Sequence, residues 1–436
     1  MFKNFINAFK VKEIRNKILL TILLVLIYRL GCWIPVPGVS AEAFKNQVAG
    51  DEGFLGLLSS VSGGALANGS ILALGISPYV SASIIIQLLT IAIPSLERLS
   101  KMGDEGKKRI ALYTKIAALV LAIAQAVAIV ISFEGVLKES TLGAGFGLPT
   151  WIVGTIVTLI LIAGSMFTFW LGEKITELGI TNGQSILIFV GILSTAATSI
   201  LTSIKNVFDG HMESLGELGL FLLALILIFG FIVWIDGSER KVPVQYAKQI
   251  KGRKMYGGQS TYIPIRVNAT GVMPIIFAMS LLSFPQLILS IFVDTSTNGF
   301  YLWYSKWLGT GSWVYIILVG LLITFFAYFW TQVTFNPEDV SKNIQQNGGF
   351  IPGIRPGKPT AEYLKKISGR VTLFGAIFLS IIAIIPSLIF KSISIGTGLV
   401  GAFSATGLLI VVSVAIEFDK SLEAQMLMKS YKGFLK

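Results

Sequence analysis

Apolar runs of about 20 residues recur along this chain, separated by polar stretches that carry most of its charge. A helix rising 1.5 Å per residue crosses a hydrocarbon core of ~30 Å in about that length. The pattern predicts ten membrane-spanning helices, near 18–34, 71–93, 112–132, 151–171, 183–203, 216–235, 271–293, 313–334, 370–390 and 398–418. Ten crossings return the chain to its starting side, so both termini share a side. The expected class is an all-α polytopic membrane protein.

Basic residues choose that side. Five lysines and arginines lie in the tail before the first span, five in 98–109, seven in 240–266, six in 342–370 and four after 419. The loops of the other side carry one lysine each, at Lys45, Lys138, Lys205, Lys306 and Lys391. The excess of positive charge marks the cytoplasmic face, which predicts cytoplasmic tails at 1–17 and 419–436. The spans divide into two five-helix halves, 18–203 and 204–418, a layout known from transporters with inverted repeats, although no sequence identity links the halves. Two cytoplasmic loops, 236–268 and 336–369, are long for connections in a helix bundle, which suggests docking work beyond setting topology.

Residues 54–69 (FLGLLSSVSGGALANG) break the rhythm. The stretch is too short to cross, and Gly63, Gly64 and Gly69 interrupt a helix. Irregular backbone at membrane depth persists only where protein covers it or where it lines a cavity. A re-entrant segment tucked inside the molecule fits this constraint; an outer loop lying on the membrane surface is the other reading.

Composition agrees with a lipid solvent. Of the 436 residues, 53% are hydrophobic and 13% charged, and the mean hydropathy is +0.76. The net charge of +12 sits between apolar spans, as at a membrane face rather than on a nucleic-acid surface. The single cysteine, Cys32, excludes an intramolecular disulfide.

The missing chemistry narrows the function. Acidic residues occur only near span ends, at Glu97, Glu134, Glu173, Asp236, Glu417 and Asp419, whereas an ion-coupled transporter needs ionisable groups at the midplane. Arg29 alone lies well inside a span among basic residues, placed to snorkel or to pair with a neighbour. His211 falls in an outer loop. Gly353 to Lys358 superficially resembles a phosphate loop but lacks its spacing and follows no strand. No nucleophile–base arrangement, metal cluster or cofactor motif is present, so an enzyme is not expected. The remaining polar groups inside or at the ends of spans are uncharged: Gln87, Gln125, Asn182, Gln184 and Asn268. They suit interhelical hydrogen bonds, either as static glue or along a seam that opens.

Several stretches carry a resemblance. Gly63-Gly64-Ala65-Leu66, followed by Ile71 to Leu89 (ILALGISPYVSASIIIQLL), resembles the plug and second helix of the SecY family, the central subunits of the bacterial Sec translocon. In the same order come Tyr28-Arg29-Leu30-Gly31, Ile34-Pro35-Val36-Pro37-Gly38, Trp170 to Glu177, Asn268 to Pro274, Phe335-Asn336-Pro337 and Phe350 to Gly357. The resemblance implies a clamshell of two five-helix halves around an hourglass pore that conducts proteins. It implies a pore ring of Ile76, Val80, Gln184, Ile188, Ile276 and Ile410, with Gln184 standing where the family often has an aliphatic residue. It assigns Phe54, Leu57, Leu58, Gly63 and Gly64 to the plug, and Gln87, Gln125 and Asn268 to the lateral gate. Arg253, Lys254 and Arg355 become docking residues for the motor ATPase SecA and the ribosome. Further implied partners are the small membrane subunits SecE and SecG, signal sequences, unfolded precursors and lipid, in a bacterial plasma membrane. A secondary transporter of a small solute is the alternative reading, and a non-conducting scaffold a third.

Overall fold

The computed structural model describes residues 8–37, 42, 44–45, 59, 62–133, 149–208, 213–246, 249–251, 254–256, 260–268, 299–308, 312–393 and 405–434, and parts of 271–289. Helices dominate: α1 (Lys12–Gly31), α2 (Ser77–Ala92), α3 (Pro94–Lys101), α4 (Asp104–Ser132), α5 (Thr150–Leu178), α6 (Gly183–Phe208) and α7 (Glu213–Asp236) come first. After strands β1 (Glu239–Tyr246), β2 (Gln249–Lys251), β3 (Lys254–Tyr256) and β4 (Ser260–Arg266) follow α8 (Gly299–Leu308), α9 (Trp313–Thr334) and α10 (Pro337–Gln346). Strand β5 (Gly349–Phe350), α11 (Lys358–Ile393) and α12 (Ala405–Phe434) complete the order. Among the described residues, five segments are long and apolar enough to cross a membrane: Asp104–Ser132, Thr150–Leu178, Gly183–Thr202, Trp313–Gln346 and Lys358–Ile384. The pair α2–α3 makes a sixth if its two arms, bent by 101°, count as one span. The bend has a local cause. Ile93 precedes Pro94, adopts an extended backbone (φ −106°, ψ 113°) and so ends one helix before the proline opens the next.

Helix ends differ from the hydropathy pattern where polar residues continue a helix beyond the apolar run. Helix α4 starts at Asp104 rather than near 112, with Asp104 and Glu105 at its positive N-terminal end. Helix α11 starts at Lys358, and α12 runs on to Phe434. The second span departs the other way. It is helical only from Ser77, because Gly75 takes a left-handed backbone (φ 53°) and Pro78 occupies the first turn. The chain from Ser62 to Ile76 is a succession of turns. The expected seventh span, 271–293, lies partly outside the described residues.

The chain forms two compact units: Met1–Gly219 with Ser280–Tyr315 and Phe390–Lys436, and Leu220–Met279 with Ile316–Ile389. The first has a core of Leu66, Ala73 and Leu74 from the turn segment packed with Ala126 and Ile129 of α4 and Val153, Val157 and Leu161 of α5. Phe44 stacks on Phe133 against it, ring centroids 4.1 Å apart. A second cluster joins Ile14 and Ile18 of α1, Ile180 and Leu422 of α12.

In the second unit the two long loops are not irregular. Strands β1 and β4 pair antiparallel, from Glu239↔Arg266 to Gln245↔Ser260, and β5 adds to the other edge of β1 through Gln245↔Phe350 and Tyr246↔Gly349. Alternation in β1 turns Val242 and Val244 inward. They pack with Ile265, Ile344, Ile351 and Leu364, so the two loops share one small hydrophobic core. This small sheet adds to the helical architecture: the length of the two loops marks them out in the sequence, but their pairing does not.

Candidate functional site

The turn segment is built as a buried object. Leu66 and Leu74 are fully buried, as are Ser62, Ser70 and Leu72 to within about 1%. Its polar backbone must therefore find partners inside the protein. Val36 N donates to Gly69 O at 2.8 Å and Ile71 N donates to Ile34 O at 3.0 Å, stitching the segment to the chain that leaves α1. Ser165 on α5 donates to Gly75 O at 3.3 Å, and Tyr28 on α1 donates to Ser62 O at the same distance. Glycines on α5 allow the approach. A Cβ on Gly164 would lie 1.8 Å from Ile71 O, an impossible contact.

The pore-ring candidates distribute over three helices of the first unit. Ile76 caps α2, and Val80 stands one turn along it, its N–H bonded to Ile76 O. Gln184 and Ile188 stand one turn apart on α6, and Ile410 lies on α12. Ile76 and Gln184 come together at Gly172 of α5: a Cβ there would meet Gln184 Cγ at 3.1 Å and Ile76 Cδ1 at 3.4 Å. Ile76, Ile188 and Ile410 are buried and Val80 and Gln184 half-buried. Ile276 lies outside the described residues, as do Phe54, Leu57 and Leu58 of the plug; Gly63 and Gly64 are in place, with φ 71° and 81°.

The gate candidates bond within their own units. Gln87 Nε2 donates to Ser83 Oγ on its own helix at 3.2 Å, and Asn268 Nδ2 donates to Asp236 Oδ1 at the end of α7. The Oε1 atoms of Gln87 and Gln125 and the Oδ1 of Asn268 are buried without a partner among the described residues. Each such oxygen costs about 1–3 kcal/mol of lost hydration. Asn182, grouped with these polar residues in the sequence, works as a helix cap: its Oδ1 accepts from Gln184 N at 3.0 Å.

Of the docking candidates, Arg253 lies outside the described residues and Lys254 opens β3. Arg355 is exposed on a braced turn. Thr360 Oγ1 donates to Arg355 O at 2.8 Å, Ser341 Oγ donates to Gly357 O at 2.7 Å, and neighbouring Ile354 packs into the shared core. Asn336 caps α10 by accepting from Glu338 N, which fixes the helix that carries Ser341.

Sequence reasoning missed an ion pair between α4 and α5. Lys115 Nζ lies 2.8 Å from Glu173 Oε1 and 5.4 Å from the centre of the Phe169 ring, which in turn packs on Tyr79 at 4.4 Å. Lys115 sits 11 residues into α4 and inside the expected span of 112–132, close to its start, and its partner Glu173 lies just past the end of the expected span of 151–171. Nearby surface pairs are local: Lys101 Nζ lies 2.6 Å from Glu97 Oε1, and Lys174 Nζ 2.7 Å from Glu177 Oε2.

Comparison with known proteins brings these features together. The family model described as SecY matches residues 70–418. The protein translocase subunit SecY of Streptomyces coelicolor is 40% identical over 445 residues, covering 100% of both chains. That of Thermotoga maritima is 39% identical over 442 residues, covering 100% of this chain and 98% of the relative. Among solved structures, a SecY protein studied for a plug domain that stabilises the closed state of the translocation channel aligns with a TM-score of 0.62 at 20% identity, covering 93% of this chain and 90% of the other. Sec61 in a canine ribosome–channel complex aligns with a TM-score of 0.59 at 19% identity, covering 93% and 91%.

Proposed function

The chain belongs to the SecY family, and from that premise we propose that it is the channel subunit through which secretory proteins cross the membrane and membrane segments leave sideways into lipid. One observation carries the reading: a buried, non-helical segment, Ser62–Ile76, sits among membrane helices and runs directly into Ile76 and Val80. Irregular backbone at that depth suits a stopper over a pathway better than a static bundle. Aliphatic Ile76, Val80, Ile188, Ile276 and Ile410 form the constriction, which excludes ions by dewetting and spreads around a passing chain. Gln184 makes that ring more polar. Residues 54–69 are the plug. Gln87, Gln125 and Asn268 line the exit for signal sequences, and their unpaired oxygens give an incoming backbone N–H something to bond.

Energy comes from outside the chain. Arg253, Lys254 and Arg355 present positive charge to SecA or to the ribosome, whose RNA rewards cationic contacts by counterion release. The related Sec61 found with a ribosome supports that assignment. SecE and SecG complete the complex, in a bacterial plasma membrane with both termini cytoplasmic. The small-solute transporter reading is dropped, since the full-length relatives are translocase subunits.

The test is protease protection of a secretory precursor added to liposomes holding this chain, SecE, SecG and SecA. Protection that needs both this chain and ATP supports conduction; absence of protection, with the same partners active beside the Thermotoga relative, overturns it. Deleting residues 54–69 raises resting ion conductance if they are the plug, and an unchanged conductance removes that role.

A further inference from the structure

Arg29 is the one basic residue inside the first expected span, and a guanidinium at membrane depth persists only where its donors are used. Two of them are. Nη1 donates to Gly63 O at 3.1 Å, and Nη2 donates to Ser194 Oγ on α6. No ion pair involves Arg29 among the described residues, so neutral acceptors on two different elements hold the cation. One side chain thus ties α1, the turn segment and α6 together.

The glycines at the contact fit that purpose. A Cβ on Gly63 would lie 2.5 Å from Arg29 Nη1 and 2.8 Å from Gly191 Cα, so any side chain there displaces both the guanidinium and α6. With φ at 71°, the carbonyl of Gly63 is presented to Arg29 by a backbone that only glycine adopts at no cost. Next to it, Cys32 Sγ and Tyr28 Oη both lie against Ser62 O, at 3.9 and 3.3 Å. The root of the segment is therefore gripped from one face of α1, and Arg29 is the part of the grip that reaches across to α6.

We propose that Arg29 is a latch: a positioning residue that pins the root of the plug to α6 through Gly63 and Ser194 and so keeps the resting channel shut. The proposal rests on the plug reading above. Its neutral partners suit a latch that must also release, because opening breaks two hydrogen bonds to dipoles and no ion pair.

The experiment measures resting ion conductance of the reconstituted complex. Arg29→Met removes both bonds and raises conductance at least tenfold. Ser194→Ala and Arg29→Lys each keep one partner and give smaller rises. To separate a latch from a general packing defect, Gly64→Cys and Thr195→Cys are added to Arg29→Met in a Cys32→Ala background; a Cβ at 64 lies 3.8 Å from Thr195 Cγ2, so the positions adjoin, and because Gly64 has φ 81° the cross-link is first verified by thiol titration. Oxidation then restores a low conductance and reduction releases it again, the reduced protein serving as its own baseline. Wild-type conductance in Arg29→Met, or a leak that oxidation does not lower, overturns the latch. If deletion of 54–69 leaks while Arg29→Met does not, the latch falls and the plug stands; if neither leaks, the plug reading fails with it.

Discussion

Replacing Gly164 by alanine tests the close packing of the turn segment on α5 directly. The added Cβ would stand 1.8 Å from Ile71 O and 2.8 Å from Ile71 C, with Leu72 Cδ2 at 3.4 Å behind them. Ordinary contact begins at 3.4 Å, so the carbonyl or the helix must yield by about 1.6 Å. A backbone carbonyl in a turn braced by Ile71 N→Ile34 O cannot swing away as a side-chain tip can. Overpacking in a close-packed interior costs ~1–3 kcal/mol, and a backbone clash of this depth belongs at the upper end. Alanine favours a helix over glycine by about 1 kcal/mol, so propensity works the other way and cannot produce a loss. The matched control is Gly230→Ala on α7, where none of the described residues comes within 4 Å of the new methyl group. Thermal unfolding of purified protein in detergent, followed by aggregation onset, should fall for Gly164→Ala and stay level or rise for Gly230→Ala. The same Gly164→Ala protein should leak ions at rest. A melting temperature at or above wild type for Gly164→Ala would refute the packing described here.

Three further outcomes are expected. Arg355→Glu should fold normally, its side chain being exposed, but should lose most ATP-driven export in the precursor protection assay; normal export would remove Arg355 from the docking surface. Leu66→Ala, at a fully buried position, should destabilise the first unit by about 2–5 kcal/mol, read as a lowered melting temperature, and a loss below 1 kcal/mol would contradict its place in the core. Lys115→Met should cost under about 1 kcal/mol, since the Lys115 and Glu173 side chains are 43% and 35% exposed and solvent screens the pair; a double-mutant cycle with Glu173→Gln measures the coupling, and a value well above that would mean a drier site.

What was legible in the sequence follows from which forces write themselves as periodicity. Apolar length marks helices in lipid plainly, because nothing else satisfies the backbone there, and α4, α5 and α6 lie where the hydropathy puts them. The non-crossing stretch before Ser77 was legible through its glycines. Its inner end was not: residues 71–76 are as apolar as a span, and only the left-handed Gly75 and Pro78 decide that the chain stays in turns until Ser77. The sheet was hidden because β5 is two residues long and lies about a hundred residues from β1; Val242 and Val244 gain their meaning from Ile344, Ile351 and Leu364. Polar residues were legible as polar, not as partners. Arg29 could snorkel or bond, and only the fold brings Gly63 O and Ser194 to it.

The pairing of β1 with β5 also sets an order of events at the ribosome. Gln245 waits for Phe350, so the hydrophobic face of the first loop stays uncovered while about a hundred further residues are made, roughly 5–20 s at bacterial-like synthesis rates of ~5–20 residues per second. During that interval the helices on either side are already entering the membrane. The three-stranded sheet is thus the last part of this unit to set, and the core it shares with the second loop is not complete until Leu364 of α11 has emerged.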